Sequence, residues 1–184
     1  DAIDEDTETV IIDISTIEHG IESVQQQQTV NILDMDIPPT VSLSVGSASI
    51  GEDSGTTTTL VTATLNTVSG LPVTVTLTKT GDAIENTDYT LQGTITISAL
   101  TSSASVTLSA SADLLNEVNE QVIIDINTVT NGTESGVQRQ TVTIIDNDSE
   151  PTVNLTVGAV QIAEEGGTTT VIATLSAVSS KTVT

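Results

Sequence analysis

Carboxylate side chains are the groups in this sequence that could do chemistry, and many of them fall between predicted β-strands. Of 184 residues, 25 are Asp or Glu and 3 are Lys or Arg. The acids between strands form four sets: Glu52 and Asp53; Asp82, Glu85 and Asp88; Asp113, Glu117 and Glu120; Asp146 and Asp148. Two carboxylates about 4 Å apart repel each other by roughly 4 kcal/mol at an effective dielectric of about 20. Acids held together in a fold therefore require a cation.

The chemistry favoured by these side chains is the binding of a hard divalent cation. The sequence contains no Cys and one His, His19, so the available ligands are oxygen atoms. Oxygen ligands select hard ions, and flexible acidic loops suit Ca²⁺ better than the strict octahedron of Mg²⁺. Within residues 38–148, Lys79 and Arg139 are the basic residues, so the cation is expected to come from solution. Solvated acidic loops without a metal are the alternative interpretation.

Antiparallel strands are the elements that must position these acids. Period-2 alternation and turn residues predict seven strands, at 41–45, 58–65, 73–78, 92–98, 103–109, 120–127 and 137–145. Val73, Val75 and Leu77 share one face of the third strand. Successive loops of a sandwich emerge at opposite ends, so the acids after the third, fifth and seventh strands are expected at one end. The bend at Glu52 reaches that end if the first strand breaks and crosses between sheets.

Composition independently favours an all-β protein with a thin aliphatic core. Hydrophobic residues make up 36% of the chain, and Tyr89 is the one aromatic residue. β-Branched residues suit a pleated surface, and no segment has helical periodicity. The predicted fold class is a seven-stranded antiparallel β-sandwich of the immunoglobulin-like type.

The charge and residue inventory excludes several function classes. A net charge of −22 opposes binding to nucleic acid or to an anionic membrane surface, and no apolar run approaches the roughly 18 residues of a membrane span. An enzyme is not expected, because His19 lies in a loop and is interpreted as solvated, and Tyr89 alone could stack on a sugar. The threonine row of Thr74, Thr76 and Thr78 indicates β-propensity rather than binding to ice or another surface.

The chain repeats itself with an offset of 112 residues. VIIDI occurs at 10–14 and 122–126, and PTVSLSVG at 39–46 matches PTVNLTVG at 151–158. This period has the size of one β-sandwich. We predict the C-terminal part of one repeat at 1–37, a complete repeat at 38–148, and the N-terminal part of a further repeat at 149–184. The expectation is a window of a longer tandem array.

Four motifs together resemble the Calx-beta family. KTGDAIENTDYT (79–90) is similar to its loop ending in Gly-Ser-Asp-Tyr, and ADLLNEVNEQVII (112–124) to its Asp-x-x-x-Glu-x-x-Glu signature. VTIIDND (142–148) resembles the terminal Ile-Ile-Asp-Asp-Asp, and IGEDSG (50–55) the opening Glu-x-x-Gly. The resemblance implies a sandwich in tandem array that binds Ca²⁺ through its end loops.

Carried over by position, the resemblance implies a calcium-ligand set in the complete repeat and a partial second copy. The first set is Glu52, Asp88, Asp113, Glu117, Glu120, Asp146 and Asp148. The second, partial set is Asp1, Glu5, Glu8, Asp34 and Asp36. Two positions depart from the family, since Ala112 and Asn147 stand where acids are frequent. These departures predict fewer ions or a lower affinity.

The leading functional hypothesis is a structural and adhesive segment of a large extracellular, cell-surface or secreted repeat protein. Short Pro-containing junctions, at Pro38-Pro39 and Pro151, predict a rod that Ca²⁺ stiffens at its domain ends. Neighbouring repeats are the expected partners, and lateral or end-to-end assembly of copies into filaments is a further expectation. A calcium-sensing regulatory module is the alternative, and a passive spacer without metal is the weaker one.

Overall fold

A computed structural model describes residues 2–24 and 26–184 as strands and loops, and no helix occurs among them. The strands are β1 (Glu8–Ile12), β2 (Gln28–Ile32), β3 (Thr40–Val45), β4 (Ser49–Gly51), β5 (Thr58–Leu65), β6 (Val73–Gly81), β7 (Tyr89–Leu91), β8 (Thr94–Ile97), β9 (Ser103–Ala110), β10 (Glu120–Thr130), β11 (Thr133–Glu134), β12 (Gln140–Ile145), β13 (Val153–Val157) and β14 (Val171–Leu175). This part of the chain therefore offers no helix that could cross a membrane.

The complete repeat is a sandwich of two five-stranded sheets. One sheet has the order β4-β12-β10-β6-β8 and the other the order β11-β3-β5-β9-β7. The predicted all-β sandwich is confirmed, but the strand count of seven was too low. Three short strands, β4, β7 and β11, are added, and two short pairings, β11 with β3 and β12 with β4, are parallel.

The first strand breaks and changes sheets, which brings Glu52 to the acidic end. β3 pairs with β5, and the last hydrogen bond of this pairing is donated by the Gly46 N–H to the Leu60 oxygen at 2.9 Å. The chain then crosses, and β4 pairs with β12 in the opposite sheet. The Glu52 N–H donates to the Ile145 oxygen at 3.1 Å, so Glu52 lies beside the end of β12.

The predicted strands at 92–98 and 137–145 are shorter than expected, for two different reasons. The chain crosses between sheets around Gly93, so the predicted strand at 92–98 is limited to β8. Before the crossing β7 pairs with β9, and after it β8 pairs with β6. At the seventh predicted strand, side chains replace backbone pairing. Gln138 Oε1 accepts the Leu43 N–H at 3.0 Å, and Gln140 Nε2 donates to the Leu43 oxygen at 3.1 Å. These contacts complete the hydrogen bonding of β3 beyond the end of β11.

The core is aliphatic and lies between the two sheets of the complete repeat. Val73, Val75 and Leu77 are buried on one face of β6, as the alternation predicts. Tyr89 is 2% exposed and is the one aromatic side chain of the core. Gly81 allows β6 to approach β10, since it has φ +123° and an added Cβ would lie 1.9 Å from the Gln121 oxygen. The acidic loop that begins at Asp82 starts from this close approach.

The two partial repeats each form a two-stranded antiparallel sheet. β1 pairs with β2, and β13 pairs with β14. Their apolar faces are open, since Ile12 is 55% exposed whereas its repeat equivalent Ile124 is fully buried. The same sequence pattern is thus buried where a second sheet packs on it and exposed where none does. The division at 1–37, 38–148 and 149–184 remains a prediction.

Candidate metal centre

Loops from four parts of the complete repeat meet at one end of the sandwich. Glu52 follows β4, Asp88 precedes β7, and Glu120 begins β10. The Asp113 and Glu117 side chains belong to the connection between β9 and β10, and Asp146 and Asp148 follow β12. Antiparallel strand direction thus brings acids that are distant in sequence to the same edge.

The acids form two close groups joined by a narrow cleft. Oxygen atoms of Glu52, Asp113 and Asp148 lie within 4.8 Å of one another, and so do those of Asp88, Glu117 and Glu120. Asp146 lines the cleft between them, together with Glu52, Asp88, Glu117, Val118, Glu120 and Ile144. The structure therefore brings all seven sequence-predicted residues of the complete repeat to one place. Their role as ligands remains a prediction.

The donor set fits a calcium ion. Two oxygen atoms bound to one Ca²⁺ at about 2.4 Å each can be at most about 4.8 Å apart, and both groups meet this spacing. All of the clustered side chains are carboxylates, which are hard oxygen ligands. Each group would supply three carboxylates to an ion, and the ion would supply the positive charge that these carboxylates lack.

Burial and mutual repulsion raise the pKa values of three glutamates at this end. Burial, followed by the charges of Asp113 and Asp146, raises the pKa of Glu52 from 4.5 to about 7. Burial and the neighbouring Asp88 raise the pKa of Glu120 from 4.5 to about 7. The pKa of Glu117 is raised as well, chiefly by burial and by Asp113. A charged Glu52, only 6% exposed, is therefore unfavourable unless a cation lies nearby.

Backbone N–H groups hold several of these carboxylates in place. Asp88 Oδ2 accepts the Ile84 N–H at 2.6 Å, and Asp113 Oδ1 accepts the Leu115 N–H at 2.6 Å. At Asp82, Oδ1 accepts the Gln121 N–H at 2.6 Å, which ties the loop before β7 to β10. Such turns order an acidic loop without neutralising its charge.

Two asparagine side chains at this end were absent from the predicted ligand set. Asn116 is 3% exposed and donates from Nδ2 to Asp146 Oδ2 at 3.3 Å and to the Asp148 oxygen at 3.0 Å. Asn147, at a position where the resemblance implies an acid, donates to Asp53. Asn116 could have been noticed because its repeat equivalent, Asp4, is itself an acid in the matching loop.

The basic residues of the complete repeat are paired away from the seven-acid set. Lys79 is paired with Glu85, and Arg139 with Asp125, so neither serves the seven-acid set. However, Lys181 of the C-terminal partial repeat places Nζ 3.8 Å from Asp146 Oδ2. The acidic end therefore has one cation supplied by the chain itself. Lys181 lies outside the complete repeat, so the basic residues of that repeat alone did not predict this contact.

The second predicted set, in the N-terminal partial repeat, is brought together less tightly. Glu5, Glu8, Asp34 and Asp36 line one surface cavity, and the Glu5 N–H donates to Asp34 Oδ2 at 3.2 Å. Within residues 2–24 and 26–184, however, no three of them form a group as close as those of the complete repeat. Asp1 lies outside the described residues.

Comparison with known proteins identifies similar folds among solved structures. The crystal structure of CBD12 from CALX1.2 is similar with a TM-score of 0.51 and 17% identity, over 59% of this chain and 44% of that chain. The apo-form Calx CBD1 domain has a TM-score of 0.49 and 18% identity, over 59% of this chain and 99% of that chain. This chain therefore spans less than half of the CBD12 structure. No family model and no curated protein match the sequence. The similarity to the CBD12 structure confirms the predicted resemblance at the level of the fold, and the chain contains a β-sandwich of the Calx-beta fold.

Proposed function

We propose that this chain is a calcium-stiffened structural segment of a large extracellular repeat protein with an adhesive role. The observation that carries the calcium part is the pair of three-carboxylate groups whose oxygen atoms lie within 4.8 Å of one another. The Calx-beta fold also favours a calcium-binding β-sandwich module. The tandem repetition of a unit of sandwich size supports the structural role.

Calcium acts in this proposal by neutralising the end at which repeats join. An ion that binds only the folded state stabilises it by RT ln(1 + [L]/Kd), about 1.4 kcal/mol per site at an ion concentration about ten times Kd. Extracellular modules work at Kd values of about 10⁻⁴ to 10⁻³ M. Because the acids precede the junction with the next repeat, the ion restrains the junction as well as the loops.

Isothermal titration calorimetry of the 184-residue chain tests the proposal. Ca²⁺ is expected to bind with a Kd of about 10⁻⁴ to 10⁻³ M, whereas Mg²⁺ at equal concentration gives little heat. Asp113→Asn should weaken Ca²⁺ binding about tenfold or more, since it removes a charged ligand. Asp13→Asn, at an exposed carboxylate outside the seven-acid set, is the control and should bind as the parent does. The absence of Ca²⁺ binding by the parent chain would refute the calcium function.

A second candidate function is a spacer whose junctions hold without metal. Asn116 and Lys181 favour it, because Asn116 donates to Asp146 and Lys181 places a positive charge beside Asp146 without an ion. Small-angle X-ray scattering distinguishes the two candidates. A calcium-stiffened rod lengthens its maximum dimension when Ca²⁺ replaces EGTA, whereas a metal-independent spacer has the same scattering curve in both.

A further inference from the structure

The turn at 179–181 of the C-terminal partial repeat is fixed on the acidic loop of the complete repeat. Asn116 and Ser179 form a parallel β-bridge. The Ser180 N–H donates to the Asn116 oxygen at 3.2 Å, and the Ser179 hydroxyl donates to the same oxygen at 3.1 Å. This turn therefore has a defined position beside the candidate metal centre.

The same contact occurs at the preceding junction, which makes it a property of the repeat. Asp4 and Ser69 form the equivalent parallel bridge. The Gly70 N–H donates to the Asp4 oxygen at 2.9 Å, and the Ser69 hydroxyl donates to that oxygen at 3.2 Å. Ser69 is 1% exposed. Two junctions of one chain thus use one docking turn on one acidic loop.

The two junctions differ in the third residue of this docking turn. Leu71 occupies the position at the first junction, and Lys181 occupies it at the second. The turn therefore docks with or without a cation at this position, and the ammonium is an addition to it. Lys181 Nζ lies 3.8 Å from Asp146 Oδ2, and the Asp146 side chain is 8% exposed. A positive charge beside a buried carboxylate is screened less than one at the open surface.

We propose that Lys181, which belongs to the following repeat, competes with Ca²⁺ at the acidic end of the complete repeat. This inference rests on the proposed calcium function. Asp146 lines the cleft that joins the two carboxylate groups, so an ion bound there and the Lys181 ammonium act on the same carboxylate. Like charges repel, and each therefore weakens the binding of the other. By thermodynamic reciprocity, calcium also weakens the Lys181 contact to the same extent.

The structural consequence is that the identity of one residue in the docking turn sets the calcium affinity of the preceding repeat. A lysine gives a junction that is partly neutralised in the absence of metal. A leucine, as at residue 71, leaves neutralisation to the ion alone. Junctions of the same fold along one rod can therefore differ in calcium dependence without any change in the ligands themselves.

Calorimetric titration of the full 184-residue chain with CaCl₂ tests this inference. Lys181→Gln should bind Ca²⁺ about 2- to 5-fold more tightly than the parent chain, the upper part of the range expected when one partly exposed charge is removed. Lys181→Arg keeps the charge and should stay within about twofold of the parent. Arg139→Gln removes the same charge from a site that contacts Asp125, and it should also leave the affinity unchanged.

The outcomes separate this inference from the calcium function itself. Tighter binding by Lys181→Gln alone supports the competition. Unchanged or weaker binding by Lys181→Gln, with a parent chain that binds Ca²⁺, overturns the competition and leaves the calcium function standing. An equal gain in Lys181→Gln and Arg139→Gln also overturns it, since net charge then explains the effect. A parent chain that binds no Ca²⁺ overturns both.

Thermal unfolding gives a second readout that does not depend on heats of binding. In EGTA, Lys181→Gln removes the internal cation and should lower the midpoint relative to the parent chain. In saturating Ca²⁺ the two midpoints should converge, because the ion replaces the lost charge. A difference of the same size in both conditions would mean that Lys181 only packs the turn, and the competition would be overturned.

Discussion

Asn116 donates a hydrogen bond from Nδ2 to Asp146 Oδ2 at 3.3 Å. The backbone oxygen of Asn116 in turn accepts the N–H of Ser180, in the following repeat, at 3.2 Å. One buried residue thus contacts a predicted metal ligand on one side and the next repeat on the other. The candidate metal centre and the junction between repeats are therefore joined by a single side chain and its backbone.

Replacing Asn116 by Asp should make the chain depend more strongly on calcium. The variant introduces the residue found at position 4, and the carboxylate repels Asp146 where the amide donated to it. The thermal midpoint should fall in EGTA and recover in saturating Ca²⁺, as followed by circular dichroism. Asn154→Asp, on the exposed face of β13, is the control. If Asn116→Asp lowered the thermal midpoint equally in EGTA and in Ca²⁺, repulsion between the new carboxylate and Asp146 would not explain the loss.

Replacing Glu52 by Gln should stabilise the chain in EGTA but weaken its binding of Ca²⁺. The Glu52 carboxylate is buried among other acids, so its charge is unfavourable without a cation. Glu52→Gln should therefore raise the midpoint in EGTA at about pH 8, while it weakens Ca²⁺ binding about tenfold or more through loss of a ligand. The exposed Glu18→Gln serves as the matched control. A loss of stability in EGTA would show that the Glu52 charge is already compensated within the chain.

The chain without calcium should become less stable as the pH rises through neutrality. The pKa values of Glu52 and Glu120 are about 7 in the folded state, compared with a usual 4.5. The folded state therefore binds more protons than the unfolded state between these values, and stability falls as the pH rises across that window. In EGTA the midpoint should be higher at about pH 5 than at about pH 8. Saturating Ca²⁺ should flatten the dependence across this same window, because it stabilises the charged carboxylates in the folded state.

The repeat provides its own control for core packing. Ile124 is fully buried in β10, whereas the equivalent Ile12 in β1 is 55% exposed. Ile124→Ala should destabilise the fold by about 2–5 kcal/mol, because it leaves a cavity in the core. Ile12→Ala should change stability by less than about 1 kcal/mol. Urea titrations of both variants measure the difference, and equal effects would contradict the assigned burial.

Much of the fold follows from alternation, because a period of two assigns each side chain to a face. The alternation at Val73, Val75 and Leu77 predicts the buried face of β6 that the structure contains. It does not specify which sheet a strand joins, so the crossing at Gly46 could be stated only conditionally. The short strands β7 and β11 were missed because three or two residues carry too little pattern to be recognised.

The candidate site was predictable as far as it depends on loops of one repeat. Strand direction brings Asp113, Glu117 and Glu120 to the end that also carries Asp146. Contacts between repeats were not predictable in this way, because Lys181 reaches Asp146 only through the docking of a turn from another unit. Asn116 is neutral, so the pattern of carboxylates does not include it. Its alignment with Asp4 was the one available indication.

The thermal midpoint of the chain in EGTA, in Ca²⁺ and in Mg²⁺ tests the central claim most directly. The two carboxylate groups predict a midpoint that climbs with Ca²⁺ up to millimolar concentration and climbs little with Mg²⁺. The climb should be reduced or lost in Asp146→Asn and Glu117→Gln. A midpoint that does not respond to Ca²⁺ would contradict a calcium-stiffened rod and leave a β-sandwich spacer whose acids are solvated.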